Sequence, residues 1–189
     1  MKDITCRGLL SLCLLAVSVQ QVQAHSADEH AGHTAPASNT QEHAQVKFAN
    51  VPLLDQNGKT VRLEQDLVQG KIVVISFIYT SCTTVCPVVS SIMGKVQKQL
   101  GARVGNEVQL VSISIDPQRD DPKRLQDYAR AFQKGPGWSW LTGSPQSINE
   151  TLKGLGSFSG DLKNHQPLIL VGDGNSRHWM RYYGSTDPT

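Results

Sequence analysis

Cys82 and Cys86 stand four residues apart in Tyr79-Thr80-Ser81-Cys82-Thr83-Thr84-Val85-Cys86-Pro87, and their type and spacing suit them to chemistry. A helix is expected from Thr84 to about Leu100, because Val85, Val88, Val89, Ile92, Met93 and Val96 recur at helical spacing. Inside a helix, a spacing of four puts both side chains on one face, with Cα atoms roughly 6 Å apart. The two sulfurs can then join as a disulfide or hold one ion between them. A helix N-terminus also favours the thiolate, the form that ligates and attacks. Two thiolates make a soft site that selects Cu(I), and one added imidazole lets such a site hold Cu(II) as well. Structural zinc takes four protein ligands, and no obvious fourth is available. A purely structural bridge is the plainer alternative. It gains little, because closing a loop of about five residues restrains the unfolded chain by only on the order of 2 kcal/mol.

The chain has six histidines. His25, His30, His33 and His43 fall in a stretch from His25 to about Gln45 that is rich in Ala, Ser and Thr and has no apolar period. Such a segment cannot bury a core and is expected to be a disordered tail. Its imidazoles suit copper or zinc collection as well as a merely solvated linker. The folded body holds His165 and His178. His165 lies in Lys163-Asn164-His165-Gln166-Pro167, just before an expected strand, Leu168 to Val171. His178 lies past a Gly172–Gly174 turn, towards the opposite edge. In a thioredoxin-like sheet the loop entering that strand lies beside the N-terminus of the first helix. A lone histidine is more often a plain surface or core residue.

The elements that must position these groups read as follows. Pro52 to Asp55 and Val61 to Leu63 flank an Asn57-Gly58 turn, the signature of a hairpin. Lys71 to Tyr79 is a β-branched and aromatic run, expected as a strand buried on both faces, and Glu107 to Ile115 as a second. Asp121-Pro122 opens a helix to about Gln133, ended by Gly135-Pro136-Gly137. Another helix is expected from Pro145 to Leu155, followed by strands at Leu168 to Val171 and Trp179 to Tyr183. This order predicts an α/β, thioredoxin-like fold with a central mixed sheet and an N-terminal β-hairpin. The C-terminal helix of such a fold is expected to be missing, since the sequence stops at Ser185-Thr186-Asp187-Pro188-Thr189, where it would start.

The first 24 residues read as a signal peptide. Lys2 and Arg7 precede an apolar stretch, Gly8 to Val19, and Val22-Gln23-Ala24 offers a cleavage site. A dozen apolar residues fall short of the ~20 that span a bilayer, which leaves an uncleaved anchor as the alternative. Export removes Cys6 and Cys13, so the mature chain keeps Cys82 and Cys86 in an oxidising compartment, expected to be the periplasm. The organisation is therefore signal 1–24, tail 25–45 and one domain, 46–189. A net charge of +2 and the lack of a basic stripe interleaved with aromatics argue against nucleic acid as a partner.

The segment Phe77-Ile78-Tyr79-Thr80-Ser81-Cys82, with Val85-Cys86-Pro87, resembles the copper motif of the Sco/SenC family. Val111-Ser112-Ile113-Ser114-Ile115-Asp116-Pro117-Gln118-Arg119-Asp120-Asp121-Pro122 resembles that family's second strand and helix start. Trp140-Leu141-Thr142-Gly143 and Asn164-His165 fit its later landmarks. The resemblance runs from about Val46 to Gly184. It implies that Cys82, Cys86 and His165 are copper ligands, with Asp116 near them as a supporting group or simply shaping the turn before Pro117. Thr83 and Gln166 depart from common family residues; neither change removes a ligand.

The function this implies is a metallochaperone that passes copper to an apo cuproenzyme such as a cytochrome c oxidase subunit. A thiol–disulfide oxidoreductase, reducing a target's cysteines and itself served by a thiol reductant, is the alternative. A peroxidase is a faint third, since Thr83-Thr84-Val85-Cys86-Pro87 echoes a peroxidatic loop but has Tyr79 where a proline belongs.

Overall fold

The computed structural model describes residues 41–132, 135–157, 160, 162 and 166–184. They all belong to the second of two units, Pro36–Thr189; the first, Met1–Ala35, and with it the expected signal segment, lies outside the described residues. Three strands, β1 (Gln41–His43), β2 (Leu53–Asp55) and β3 (Thr60–Val61), precede a π-helical turn at Leu63–Val68. Then come β4 (Ile72–Ile78), α1 (Val85–Leu100), β5 (Val108–Ser114), α2 (Pro122–Ala129), β6 (Trp138–Thr142), α3 (Pro145–Gly154), β7 (Leu168–Asp173) and β8 (Trp179–Tyr183).

The strands form one sheet in the order β1-β8-β7-β4-β5-β6-β2-β3. β4, β5 and β6 are parallel, and the remaining neighbours pair antiparallel, so the sheet is mixed. Helices cover both faces. Met93 of α1 and Leu125 and Ala129 of α2 pack with Ile78, Leu110, Trp138 and Trp140 on one side. Ile148 and Leu152 of α3 pack with Ile75, Phe77, Val111, Ile113 and Leu141 on the other. This is the expected α/β architecture with a thioredoxin-like central sheet.

Local chemistry explains the boundaries. The β2–β3 turn closes because the Asp55 carboxylate accepts the Asn57 and Lys59 amides at 2.8 and 2.9 Å, while Gly58 takes φ +78°. Asp121 caps α2 by accepting the Arg124 amide at 2.7 Å, and Pro122 fills the first turn. Ser144 caps α3 in the same way, with the Ser147 amide at 3.0 Å. Inside the sheet, Ser112 of β5 is satisfied by Ser76 and by the Trp138 indole N–H, each at 2.9 Å.

Several expectations need correction. The tail was expected to run to Gln45, yet Gln41–His43 pairs with Met180–Tyr182 of β8, and Ala44 is buried. The pattern hid this strand because all its side chains are exposed; its backbone ladder holds it. Leu63 belongs to the π-helical turn, not to the hairpin strand. α2 ends at Ala129 instead of near Gln133. The segment Trp138–Thr142, to which the pattern assigned no element, is a full member of the sheet, parallel to β5. Gly137 admits it: φ is +82° and a Cβ there would lie 2.2 Å from the Gly105 nitrogen. The expected absence of a C-terminal helix concerns residues 185–189, outside the described residues.

Candidate metal centre

β4 delivers the chain to the carboxyl end of the sheet, and the loop Tyr79–Thr84 turns it into α1. Cys82 sits in that loop, fixed by its own amide donating to the Tyr79 carbonyl at 3.1 Å, and Cys86 lies in the first turn of α1. The expectation that one helix carries both cysteines is thus half met. The Cys82 sulfur accepts the Cys86 amide at 3.3 Å. That contact is a helix cap: Thr84, at the N-cap position, makes no side-chain capping bond, and the sulfur two residues earlier takes its place. Both cysteines are free thiols, 5% and 1% exposed respectively.

The two thiols differ sharply. Burial pushes Cys82 up, but hydrogen bonds from the Cys86 thiol and from the Cys86 and Thr84 amides outweigh it and bring the group down to about 7. Burial also pushes Cys86 up, and the hydrogen bond and charge of Cys82 add to it, to about 12. Near neutrality Cys82 is therefore partly ionised, beside a Cys86 that keeps its proton and donates it to the Cys82 sulfur. The surrounding wall is apolar: Met93, Leu125, Trp138 and Trp140 belong to the same cluster as both cysteines. Tyr128, beside Trp140, is raised to about 12, first by burial and also by the two cysteines, while its contact with Ser90 at 3.4 Å pulls the other way. Tyr79 is raised by burial and by Cys82.

A carboxylate that sequence reasoning passed over holds this loop. Asp120, 1% exposed, accepts the Thr80 amide at 3.0 Å, the Thr80 hydroxyl at 2.5 Å and the Ser114 hydroxyl at 2.7 Å. Its carbonyl accepts from the Thr142 hydroxyl at 2.6 Å. One residue thus ties the ends of β4, β5 and β6 two positions before Cys82. Asp116 is also buried, but its carboxylate pairs with Arg119 at 3.4 Å, and its field reaches Tyr79. The signal in the sequence was the acidic run Asp116 to Asp121, which pointed to the region but not to the member.

The histidines separate. His178 lies at the far end of β7 from the cysteines, since Asp173 pairs with Ile72 at the start of β4 and the cysteines follow its end. His165 lies outside the described residues. The chain that follows it enters β7 at the cysteine end of the sheet, where Ile169 pairs with Ser76. His25, His30 and His33 also fall outside the described residues. Among the described residues, no three of His, Cys, Asp and Glu cluster around a common point.

A mixed sheet of this order, with a dithiol where its central strand meets the following helix, defines a thioredoxin-like dithiol protein. The SCO1/SenC family model matches residues 37–174, and the chain belongs to that family. The SCO1 protein homolog of Bacillus subtilis is 36% identical over 110 residues, covering 58% of this chain and 55% of that protein. The chain thus aligns with little more than half of that relative's length. Bradyrhizobium japonicum ScoI, solved with copper bound, superposes with a TM-score of 0.60 at 29% identity, over 69% of this chain and 85% of that one. BsSco, described as a member of the Sco family of cytochrome c oxidase assembly proteins with a disulfide switch, gives 0.61 at 28% identity, over 78% and 87%.

Proposed function

We propose that this protein binds one copper ion through the sulfurs of Cys82 and Cys86 and the imidazole of His165, and delivers it to an apo cuproenzyme of the cytochrome c oxidase kind. The observation that carries the reading is the pair itself: two sulfurs within one short loop and helix turn, joined by the Cys86 amide donating to the Cys82 sulfur and walled by apolar side chains. Such a donor set fits a soft ion, and binding displaces the proton that the two thiols share. The copper-bound ScoI relative and the oxidase-assembly description of BsSco support the same cargo and recipient class. Export, with the periplasm as compartment, rests on Lys2, Arg7 and the apolar Gly8–Val19 stretch. It is supported by a Bacillus anthracis relative described as a SCO1/SenC family lipoprotein. Among the described residues no helix is long and apolar enough to cross a membrane.

The test is anaerobic titration of the reduced full chain with Cu(I) against a competing chelator. The wild type takes up one tightly held equivalent. Cys82→Ser, Cys86→Ser and His165→Ala each weaken it, the cysteine variants most. Tight stoichiometric binding that survives Cys82→Ser overturns the assignment.

The unequal thiols favour a second activity, reduction of a target's disulfide. The Cys82 thiolate, with a pKa near ambient pH, attacks one sulfur of the target and expels the other as a thiolate. Cys86 then gives up its proton and attacks Cys82, closing the Cys82–Cys86 disulfide and releasing the target's second thiol. A thiol reductant resets the pair. Cys86→Ser is expected to accumulate the mixed disulfide through Cys82; no trapped adduct under conditions that oxidise the wild type would reject this step.

A further inference from the structure

At the other end of the sheet, two imidazoles meet. His43 on β1 and His178 just before β8 have ring centroids 4.9 Å apart, with planes inclined at 82°. Both residues are exposed, so the contact buries little apolar surface and leaves the ring nitrogens open to solvent. Two imidazole nitrogens bound at about 2.1 Å, with ring centroids about 1.1 Å further out, place the centroids roughly 4.5 Å apart for a right-angle chelate and about 5.2 Å apart for a tetrahedral one. The observed separation falls between these limits, and rotation about the exposed side-chain torsions suffices to aim the nitrogens.

The backbone holds the two residues in this relation. β1 pairs with β8 in a register that sets His43 opposite Met180, and the next amide, Ala44, donates to the Trp179 carbonyl at 2.9 Å. On the opposite face, Glu42 accepts the Arg181 guanidinium and the Tyr183 hydroxyl, each at 2.8 Å. His178 is set by the β7–β8 turn, where its carbonyl accepts the Asp173 amide at 3.1 Å. Directly opposed residues of an antiparallel pair share a face, so the half-buried Met180 thioether lies on the same side as the His43 ring.

We propose that His43 and His178 form a second copper site, at the β1–β8 edge, which takes Cu(II) through its two imidazoles. Divalent copper binds imidazole more tightly than zinc does, and the Met180 thioether adds a soft donor that widens the difference. With no third His, Cys, Asp or Glu beside it among the described residues, the site is open, solvent fills the remaining positions, and the ion exchanges readily. Counting along the strands and across the sheet, the pair lies on the order of 20 Å from the cysteine loop, so the two sites bind independently. This goes beyond the function proposed above and does not depend on it.

The experiment uses the full chain carrying Cys82→Ser and Cys86→Ser, titrated with Cu(II) and followed by electron paramagnetic resonance for coordinated nitrogen. One equivalent is expected, lost on adding His178→Ala or His43→Ala. A control with His25, His30 and His33 all changed to Ala keeps it. If His178→Ala retains the equivalent, or if the control loses it, the proposal is overturned and the copper belongs elsewhere. Met180→Leu is expected to keep copper binding but to narrow its advantage over zinc; an unchanged advantage removes the thioether from the site. Because the cysteines are already replaced, failure here leaves the cysteine assignment untouched. Both histidines are exposed, so unaltered thermal unfolding of the variants is the expected control.

Discussion

The two ends of the sheet are built on opposite principles. At the cysteine end the reactive groups are buried, their ionisation is shifted in opposite directions, and a buried carboxylate fixes the loop that carries them. At the histidine edge the rings are exposed and their placement comes from strand register and a surface ion pair. Strength of pinning follows burial. A hydrogen bond closed off from water cannot be replaced by water when it is broken, whereas one at the rim can. The cysteine end is therefore expected to be rigid and costly to perturb, and the histidine edge tolerant.

The sharpest way to break this contrast is Asp120→Ala. It strands two hydroxyls and an amide in a buried place, and a loss of about 3 kcal/mol in urea unfolding is expected. Asp120→Asn, which keeps part of the network, is expected to lose less. A loss below about 0.5 kcal/mol for the alanine variant, the range of ordinary surface changes, would show that the loop is held by something else.

Thiol titration comes next. Alkylation of the reduced protein by iodoacetamide is expected to modify Cys82 with a midpoint near pH 7, while Cys86 stays inert until the pH approaches 12. The stability consequences have opposite signs. Cys82 is lowered on folding, so its contribution is present above the ordinary thiol range and fades as the pH falls through about 7. Cys86 is raised, so its contribution is present below that range and fades as the pH climbs towards 12. Cys82→Ser should flatten the first slope and Cys86→Ser the second in unfolding measured across pH. Two cysteines alkylated with one shared midpoint would erase the asymmetry.

Smaller effects belong to the edge. Glu42→Ala removes the contacts to Arg181 and Tyr183 and is expected to speed amide exchange at Ala44 while barely moving the urea midpoint. Smallest of all, His178→Ala is expected to leave stability within about 0.5 kcal/mol of the wild type. A cooperative loss on either change would mean that the edge supports the core.

What the sequence made legible follows the same division. The run Lys71 to Tyr79, the apolar period of α1, the Asn57-Gly58 turn and the Asp121-Pro122 helix start are local patterns, and each became the expected element. β1 was illegible because Gln41, Glu42 and His43 are all exposed and owe their strand to a distant partner. β6 was illegible because five residues after a Gly-Pro-Gly segment carry too little periodicity to separate strand from loop. The cysteine spacing pointed to this loop, but the helix was expected one residue early, at Thr84 instead of Val85, and Cys82 stands outside it. Asp120 was missed in favour of Asp116 because four residues of turn decide which carboxylate faces Thr80, and no local rule fixes that.

The sulfur cap on α1 has a consequence for anything that docks at this end. The Cys82 sulfur that receives the Cys86 amide is also the atom at which this thiol reacts, so chemistry there changes how strongly the helix is capped. The state of a buried sulfur is thereby coupled to the first turn of α1, which reaches the surface at Val88, 47% exposed.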